Sequence, residues 1–359
     1  MNRVLLTTGG TGGHIFPALA VAEELRRRFP EIELLFVGSQ YGAEQRLTSL
    51  AGVPFKGLPV RGLFGRGLHC VGASFLMLVA VVKATGILHA FKPDAVVGFG
   101  GYAAFAPMFA ARLLRIPSVL HEQNAVAGAC NRFLSHMTQK ICISLPETTG
   151  FDRKKCVVTG NPVRSVFSTL ASKPERGDTR RLLVMGGSQG AHALNVFMAE
   201  HLQQFRHKGV AILHQTGKAD APAMRTAYAQ AGYGEECVRE FIDDVAEAYD
   251  WADLVLCRAG ASTVAELCAS GLPSVLVPFP YAIHDHQTQN ALALEHSGAS
   301  ILVPESEMNA RCLDTLLLQL LDAPEQRKRM STAALAMSRP DAAAQVVTVL
   351  EQVVSGGQS

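Results

Sequence analysis

Three glycine-rich segments of this chain have the composition of anion-binding loops. They are Gly9–His14, Gly186–Ala191 and Arg258–Glu266, and each stands between a short apolar run and an amphipathic stretch. Small residues at the start of a helix let backbone N–H groups approach a phosphate at the positive end of the helix dipole. The first two segments therefore predict phosphate or pyrophosphate binding. A tight turn without a ligand is the alternative for each.

Side chains within the second and third segments each allow two roles. Ser188 could cap the following helix, or it could bind phosphate through its hydroxyl and N–H groups. Thr263 and Glu266 fit a capping box, in which Glu266 would serve only its own helix. Alternatively, the Glu266 carboxylate could accept both hydroxyls of a ribose, because a vicinal diol suits a bidentate acceptor. Both alternatives stay open for both residues.

Several nucleotide and metal motifs are missing from the sequence. After Gly10 and Gly12, the third glycine of a dinucleotide fingerprint would fall at Ile15, and no ribose-binding acid follows the second predicted strand. The sequence also lacks the Gly-Lys-Ser/Thr of a P-loop and an Asp-x-Asp pair that would hold Mg²⁺. We therefore expect neither NAD nor another cofactor, and no metal site.

Two polar clusters directly follow apolar strands. They span 121–124 and 285–290, and both are rich in amide side chains. The carboxyl ends of strands are where open α/β sheets bind ligands, and amides offer both a donor and an acceptor to sugar hydroxyls. Loop polarity and helix capping are the alternative, which is favoured for either cluster taken alone.

The segments that position these residues alternate between β-branched runs and helical patterns. This alternation is typical of an α/β fold with parallel sheets and crossover helices. The first series of strands is predicted at 4–8, 34–37, 95–99, 118–120 and 140–143, and the second at 182–185, 211–215, 237–242, 254–257, 274–277 and 300–302. A length of 359 residues favours two domains. We place them at 1–160 and 161–340, followed by a helix and tail at 341–359 that could pack on either domain.

Charge and cysteine content exclude several classes of protein. A formal net charge of +2 is too small for a nucleic-acid-binding surface. Eight cysteines without a C-x-x-C pair predict reduced core thiols rather than disulfides or zinc ligands. The N-terminus lacks the features of a signal peptide, and the longest apolar run, at 70–82, is too short to cross a bilayer. These features predict a cytoplasmic protein.

Taken in order, the motifs resemble those of the MurG family, the N-acetylglucosaminyltransferases that convert lipid I to lipid II in bacterial peptidoglycan synthesis. The resemblance runs nearly end to end and rests on GGTGGHIFPALAVAEEL, GFGGY, LHEQN, GNPVR, GGSQGA, EFIDD, CRAGASTVAEL, GLPSVLVPFP and DHQTQNA. It implies a GT-B architecture, in which two Rossmann-like, doubly wound parallel-sheet domains flank a cleft. It also implies an inverting transfer of N-acetylglucosamine from UDP-N-acetylglucosamine to the C4 hydroxyl of the MurNAc sugar of lipid I.

The resemblance further implies which residues contact the donor, mainly on the second domain. The backbone of Ile242 would contact the uracil, Glu266 the ribose, and Ser188 and Arg164 the phosphates. The turn after the predicted strand at 254–257, the first-domain loop and two amides would complete the contacts to the diphosphate and the sugar. These residues are Thr11, Gly12, Gly13, Asn124, Ala261, Ser262, Thr263, Val264, Ala265 and Gln287.

On the acceptor side, the resemblance points to Gly101 and Tyr102, and a general base is required for the acceptor hydroxyl. His14 is the candidate, because an imidazole titrates near neutral pH and the first-domain loop would face the acceptor. Alternatively, His14 caps its helix or binds the acceptor pyrophosphate. Transfer is expected to need no metal, since helix dipoles can stabilise the departing UDP.

An enzyme with a polyprenyl-linked substrate must reach a membrane surface. Arg61, Leu63, Phe64 and Arg66 combine apolar side chains with cations, which predicts peripheral binding to the anionic cytoplasmic face of the inner membrane. The neighbouring apolar run at 75–82 is interpreted as a core helix, because one of its faces must pack on the sheet. Other cell-wall synthesis proteins are further candidate partners.

Two other functions fit a similar two-domain chain. A UDP-sugar epimerase would need acid and base groups around the donor sugar and no lipid acceptor. A nucleotide-sugar sensor or scaffold would keep the UDP pocket and form no product.

Overall fold

The computed structural model describes residues 1–9, 12–42, 44–60, 70–172, 180–187, 190–282 and 285–356. The chain forms two compact units. Unit 1 comprises Met1–Arg164 and Arg339–Ser359, and unit 2 comprises Ser165–Ser338. The chain therefore passes between units at 164/165 and 338/339, a few residues from the positions suggested by the sequence, and its C-terminal segment belongs to unit 1.

The strands form one sheet in each unit. Those of unit 1 are β1 (Arg3–Thr7), β2 (Glu33–Ser39), β3 (Phe55–Leu58), β4 (Ala95–Gly98), β5 (Ser118–Glu122), β6 (Lys140–Ile143) and β7 (Cys156–Val158). Those of unit 2 are β8 (Arg181–Met185), β9 (Ala211–Gln215), β10 (Val238–Arg239), β11 (Leu254–Cys257), β12 (Ser274–Leu276) and β13 (Ser300–Leu302).

α-Helices connect the successive strands of both units, except β6 and β7. The helices in the first part of unit 1, before residue 164, are α1 (Gly12–Arg28), α2 (Glu44–Leu50), α3 (Cys70–Phe91), α4 (Phe105–Leu113) and α5 (Ala129–Ser135). Unit 2 contains α6 (Ser165–Thr169), α7 (His192–His207), α8 (Ala221–Gln230), α9 (Val245–Trp251), α10 (Ala261–Ser270), α11 (His286–His296), α12 (Leu313–Leu321) and α13 (Pro324–Met337). The last helix, α14 (Ala342–Gly356), returns to unit 1.

Both sheets have the strand order of a Rossmann fold. The order is β3-β2-β1-β4-β5-β6-β7 in unit 1 and β10-β9-β8-β11-β12-β13 in unit 2. The strand pairs described in both sheets are parallel. The predicted fold class, two Rossmann-like parallel-sheet domains, is confirmed. In each unit the order reverses beside the first strand, and ligands of such sheets bind at the carboxyl ends of the strands at this switch point.

The first crossover helix of each unit is fixed to its sheet by one apolar face. In α1, Ile15, Leu19, Ala22 and Leu25 recur at helical spacing, and all four are buried. Helix α7 uses the same arrangement, with its buried side chains at Leu194, Phe197, Met198, Leu202 and Phe205. The packing of each helix therefore fixes where its N-terminus lies.

Helix α14 completes the core of unit 1. It packs on α1 and against β4, β5 and β6, and Val346, Val347 and Leu350 are fully buried. Arg28 of α1 binds this helix through its guanidinium, which lies 2.6 Å from the Glu351 carboxylate. The sequence left the position of this helix open, and packing on unit 1 settles it.

Two strands of unit 1 were missed by the sequence analysis. Strands β3 and β7 are the outermost strands of the sheet. Strand β3 contains Lys56 and Gly57, and β7 has only three residues, so neither has the apolar run that marks a buried parallel strand. In the described parts of the chain, no helix has both the length and the hydropathy that crossing a membrane requires.

Candidate active site

The loops after β1 and β4 touch at the switch point of unit 1. The N–H of Gly9 donates to the carbonyl of Gly100 at 2.7 Å. A Cβ atom on Gly9 would lie 2.5 Å from Cα of Gly101, and Gly101 itself has φ of +79°. Both positions therefore require glycine for backbone packing. Gly101, a predicted acceptor residue, has this structural role, and Tyr102 directly after it is half-buried.

His14 lies in the first turn of α1, at the same switch point. Its Nδ1 atom is 2.8 Å from the carbonyl oxygen of Phe99, the residue directly after β4. The amide of Gln123, at the end of β5, contacts the same nitrogen. The ring is half-buried. The structure thus brings His14 together with two segments that are distant in sequence.

The polar residues at the carboxyl end of β5, two of which lie within the strand, are buried, unlike those of an ordinary loop. His121, Glu122 and Gln123 are at most 4% exposed. The Glu122 carboxylate accepts from the backbone and side-chain nitrogens of Asn124 at 3.0 Å each. It also accepts from the Gly128 N–H at 3.1 Å and from the Asn131 amide at 2.8 Å. Glu122 therefore fixes Asn124, a predicted sugar contact, and the sequence analysis missed this role.

His121 is a neutral structural residue. Burial lowers the pKa of its imidazole to about 4, so the ring is uncharged at neutral pH. Its Nε2 atom lies 3.2 Å from the carbonyl oxygen of Gly160 and must carry the hydrogen, since a carbonyl only accepts. This bond connects β5 to the turn after β7.

Arg164, a predicted phosphate contact, is the last residue of the first part of unit 1. Its guanidinium lies over the ring of Phe16 in α1, 5.3 Å from the ring centroid. The sequence boundary at 160 had assigned Arg164 to the second domain. The structure instead places its side chain beside the first two turns of α1.

The loop before α7 occupies the corresponding switch point of unit 2. A Cβ atom on Gly190 would lie 2.2 Å from the carbonyl oxygen of Thr216, and the residue has φ of +78°. The N–H of Gly190 donates to the carbonyl of Gly187 at 2.9 Å. Glycine is therefore needed where this loop passes the end of β9.

Helix α10 begins after the loop that follows β11. Its N-cap residue is Gly260, so Ala261, Ser262, Thr263 and Val264 form its first turn and Ala265 follows. The capping box proposed for Thr263 and Glu266 is wrong, because that motif requires Thr263 at the N-cap position. Glu266 instead lies in the second turn and is 7% exposed.

Three side chains hold the loops at the carboxyl ends of β11, β12 and β13. The Arg258 guanidinium donates to the carbonyls of Val277 and Pro278, at 3.1 and 3.2 Å, and pairs with the Glu305 carboxylate at 2.5 Å. In α11, the Gln287 Oε1 atom accepts from the Phe279 N–H at 3.0 Å, and the Asn290 amide donates to the Ala259 carbonyl at 3.1 Å. Gln287, a predicted sugar contact, is thus fixed by the loop after β12. The anchoring roles of Arg258 and Asn290 were missed.

Ile242 lies three residues after β10, the edge strand of the unit 2 sheet. With Phe241, Leu213 and Trp251 it lines a groove of about 910 Å³. Strand β10 stands three positions from β11 in the sheet, which corresponds to roughly 14 Å at ~4.8 Å per strand. Only an elongated ligand could contact both Ile242 and α10.

Some predicted residues lie outside the described residues. They are Thr11, Ser188, Arg61, Leu63, Phe64 and Arg66. Helix α3 follows the last four of these residues in the sequence. It has a buried face with Ala80, Ala84 and Leu88. Its other face is exposed, with Leu78 and Val82 at 62% and 66% exposure. The interpretation of this run as a core helix therefore holds for one of its faces only.

Comparison with known proteins gives matches along the whole chain. The family models described as the glycosyltransferase family 28 N-terminal and C-terminal domains match residues 4–143 and 181–346. A Nitratidesulfovibrio vulgaris (strain DSM 19637 / Miyazaki F) protein is 50% identical over 375 residues, covering 99% of this chain and 98% of the relative. That relative is named UDP-N-acetylglucosamine–N-acetylmuramyl-(pentapeptide) pyrophosphoryl-undecaprenol N-acetylglucosamine transferase.

Solved structures resemble the chain over nearly its full length. The crystal structure of Acinetobacter baumannii MurG has a TM-score of 0.74 at 34% identity and covers 98% of this chain and 100% of its own. A UDP-GlcNAc 2-epimerase from Neisseria meningitidis, bound to UDP-GlcNAc, has a TM-score of 0.68 at 15% identity and the same coverage. The second likeness concerns the fold alone.

Proposed function

The chain belongs to the MurG family within glycosyltransferase family 28, and from this premise we infer that it transfers N-acetylglucosamine from UDP-N-acetylglucosamine to lipid I. The products are lipid II and UDP, and the reaction belongs to peptidoglycan synthesis. The observation that carries this inference is the 50% identity to a relative of that name across 99% of the chain. The sequence match to this relative therefore extends over both units.

We propose that unit 2 binds the donor. The start of α10, from Ala261 to Thr263, would direct N–H groups at the diphosphate, because the positive end of the helix dipole lies there and the N-cap residue, Gly260, has no side chain. The hydroxyl and N–H of Ser188 would contribute at α7. Ile242 and Glu266 would contact the uracil and the ribose. The separation of β10 and β11 supports this assignment, since an extended nucleotide sugar can bridge it.

We propose that unit 1 binds the acceptor and supplies the base. The His14 imidazole would take the proton of the C4 hydroxyl as its oxygen bonds to the anomeric carbon of N-acetylglucosamine. The bond between that carbon and UDP would break from the opposite side, which inverts the centre. Gly12, Gly13, Gly101 and Tyr102 would surround the acceptor pyrophosphate, where their loops meet.

One assay separates the transferase from the epimerase and from a sensor. The protein is incubated with radiolabelled UDP-N-acetylglucosamine, with and without lipid I. We expect label in the lipid fraction only when lipid I is present. A changed sugar without acceptor would indicate an epimerase, and unaltered donor in both reactions would indicate a binding protein. Either of these results would refute the proposal.

We further propose that unit 1 binds the cytoplasmic face of the inner membrane peripherally. On α3, which follows the predicted membrane-binding residues Leu63 and Phe64 in the sequence, the apolar side chains of Leu78 and Val82 are exposed. Helix α4 packs on α3 and ends at Leu113, which is 59% exposed, and the C-cap residue Leu114 is 36% exposed. Apolar side chains would enter the interface while Arg61 and Arg66 meet anionic headgroups, at roughly 1 kcal/mol per cation.

Vesicle sedimentation tests this surface. We expect binding to phosphatidylglycerol-containing vesicles that weakens with salt, with Leu78→Ser plus Val82→Ser, and with Leu63→Ser plus Phe64→Ser. Transfer to a short-chain soluble acceptor should persist in these variants. Tyr281→Ser, which removes an 82% exposed ring of unit 2, is the matched control and should bind normally. Binding that is indifferent to salt and to both unit 1 pairs would contradict the proposal.

A further inference from the structure

Gln123, at the carboxyl end of β5, is buried against the candidate base. Only 4% of the residue is exposed, and its amide contacts Nδ1 of His14. The same Nδ1 lies 2.8 Å from the carbonyl oxygen of Phe99. Two groups from the ends of neighbouring strands therefore meet at one ring nitrogen.

The Phe99 carbonyl determines which ring nitrogen carries the hydrogen. A carbonyl oxygen only accepts, so a hydrogen bond at 2.8 Å requires the hydrogen on Nδ1 of His14. A neutral imidazole has one N–H group, and the other nitrogen carries the lone pair. The backbone therefore selects the tautomer in which Nε2 is the basic atom.

The Gln123 amide must be compatible with the same hydrogen. An amide nitrogen facing Nδ1 would set two donors against each other, whereas the amide oxygen in that position accepts the hydrogen. A half turn about the last side-chain bond exchanges the two atoms and leaves the shape of the amide unchanged. The exchange also gives Oε1 a donor, which it lacks among the residues that the structure describes.

The segment that carries Gln123 is held rigidly by the residue before it. The Glu122 carboxylate is 1% exposed and accepts four hydrogen bonds, from Asn124, Gly128 and Asn131. Charge-assisted bonds to a buried carboxylate are strong, and breaking one leaves a costly buried charge. The backbone on either side of Gln123 therefore has little freedom to move away from His14.

We propose that Gln123 is a positioning residue that, with the Phe99 carbonyl, holds His14 in the Nδ1–H tautomer and directs Nε2 at the acceptor hydroxyl. This inference rests on the proposed transferase function. As the acceptor oxygen bonds to the anomeric carbon and the bond to UDP breaks, Nε2 receives the hydroxyl proton. The imidazolium that results keeps two oxygen acceptors at Nδ1.

A neutral amide has a specific advantage over a carboxylate at this position. A carboxylate would favour the charged imidazolium before reaction and would reduce the fraction of free base at neutral pH. A second titratable group that interacts electrostatically with this ring is His121 on β5. His121 stays neutral because burial lowers its pKa to about 4.

Nitrogen NMR of the unliganded protein tests the tautomer without any activity. The signals of His14, one of twelve histidines, are identified by their loss in His14→Ala. We expect ¹⁵N shifts of an Nδ1–H, Nε2-lone-pair ring, and Gln123→Leu should move them towards a mixture of tautomers. An Nε2–H ring in the unsubstituted protein would overturn the proposal. Thermal melting confirms that each variant is folded.

Kinetics tests the consequence for transfer. Gln123→Leu should lower kcat by about tenfold to a hundredfold with little change in donor KM, as expected when a general base is misplaced. Gln123→Glu keeps an acceptor and should retain more activity, with the acid limb of the pH–rate profile moved up by about one unit. Gln139→Leu is the control, because Gln139 bonds the Ser118 N–H at the opposite end of β5.

A double substitution shows whether Gln123 acts through His14. In the His14→Ala background, Gln123→Leu should cause no further loss of kcat. An equal loss in both backgrounds, or an unchanged pH profile in Gln123→Glu, would overturn the positioning role. If the unsubstituted protein does not transfer at all, the proposed function fails, and the nitrogen shifts still decide the tautomer.

Discussion

Truncation of one side chain in α14 should destabilise unit 1 and leave unit 2 intact. Leu350 is fully buried in the core that also contains α1 and the unit 1 strands. Leu350→Ala removes most of that side chain, and such changes in packed cores cost about 2–5 kcal/mol. Leucine and alanine are both good helix formers, so the loss reflects packing. The expected value of about 3 kcal/mol is a large share of the ~5–15 kcal/mol that stabilises a typical domain.

The neighbouring residue provides a contrast on the same helix. The pair between Glu351 and Arg28 is 38% and 25% exposed at its two side chains. Partly exposed ion pairs contribute about 0–1 kcal/mol, so Glu351→Gln should have a small effect. The two variants together distinguish apolar packing from charge as the force that holds α14.

The chain offers separate signals for its two units. Its single tryptophan, Trp251, lies in α9 of unit 2, whereas far-UV circular dichroism reports on both units. Leu350→Ala should lower the dichroism midpoint by roughly 6–12 °C, at about 2–4 °C per kcal/mol, and leave the tryptophan transition in place. Leu317→Ala, in the core of unit 2, should have the reverse effect. A cost below about 1 kcal/mol for Leu350→Ala, or a tryptophan transition that shifts equally, would refute the packing argument.

Four further predictions follow from individual residues. Glu266→Ala should raise donor KM by about tenfold to a hundredfold, which is the equivalent of one charged hydrogen bond, and should leave stability unchanged. Glu325→Ala is the control, and unchanged donor kinetics in Glu266→Ala would refute the ribose contact. Transfer should continue in excess EDTA. If EDTA abolishes transfer and added Mg²⁺ restores it, the proposed role of the helix termini is wrong. Burial lowers the pKa of His214 from 6.5 to about 3, so the stability this neutral ring provides is complete above 6.5 and is lost as pH falls towards 3. When the pH is lowered from 7.5 to 5, the free energy of unfolding reported by Trp251 should fall by about 2 kcal/mol more in the unsubstituted protein than in His214→Phe. Equal losses in the two proteins would refute the role of neutral His214. Cys312 is exposed, whereas burial raises the pKa of Cys142, Cys257 and Cys268 to about 12. An aromatic disulfide reagent at pH 8 should therefore modify Cys312 before these three thiols, and faster labelling of the three would contradict the structure.

The alternation of strands and helices could be predicted because it depends on local patterns. Apolar runs between turn residues mark parallel strands buried on both faces, and they located the strands of both sheets except β3 and β7. Those two edge strands contact only one neighbour, so their residues need not be apolar. Cys312 was likewise predicted to be a core thiol and is exposed, because a single residue carries no periodic signal of its burial.

The glycine-rich loops and the polar ends of strands also carry local signals. A parallel sheet places the carboxyl ends of all its strands at one edge, so the topology alone brings the loops after β1 and β4 together. The sequence could therefore indicate which segments meet. It could not show that Gly9 and Gly101 touch through their backbones, since that contact depends on the spacing of the two strands.

Local patterns and motif order in the sequence were enough to predict two Rossmann-like sheets, the family and the segments that form the candidate site. Three features became visible only in the folded chain: α14 joins unit 1, α10 begins after Gly260 rather than after Thr263, and Gln123 meets His14 across 109 residues of chain. The reason is physical. Periodicity and turn chemistry act over a few residues, whereas these contacts exist only after the whole core has packed and fixed the distances between elements.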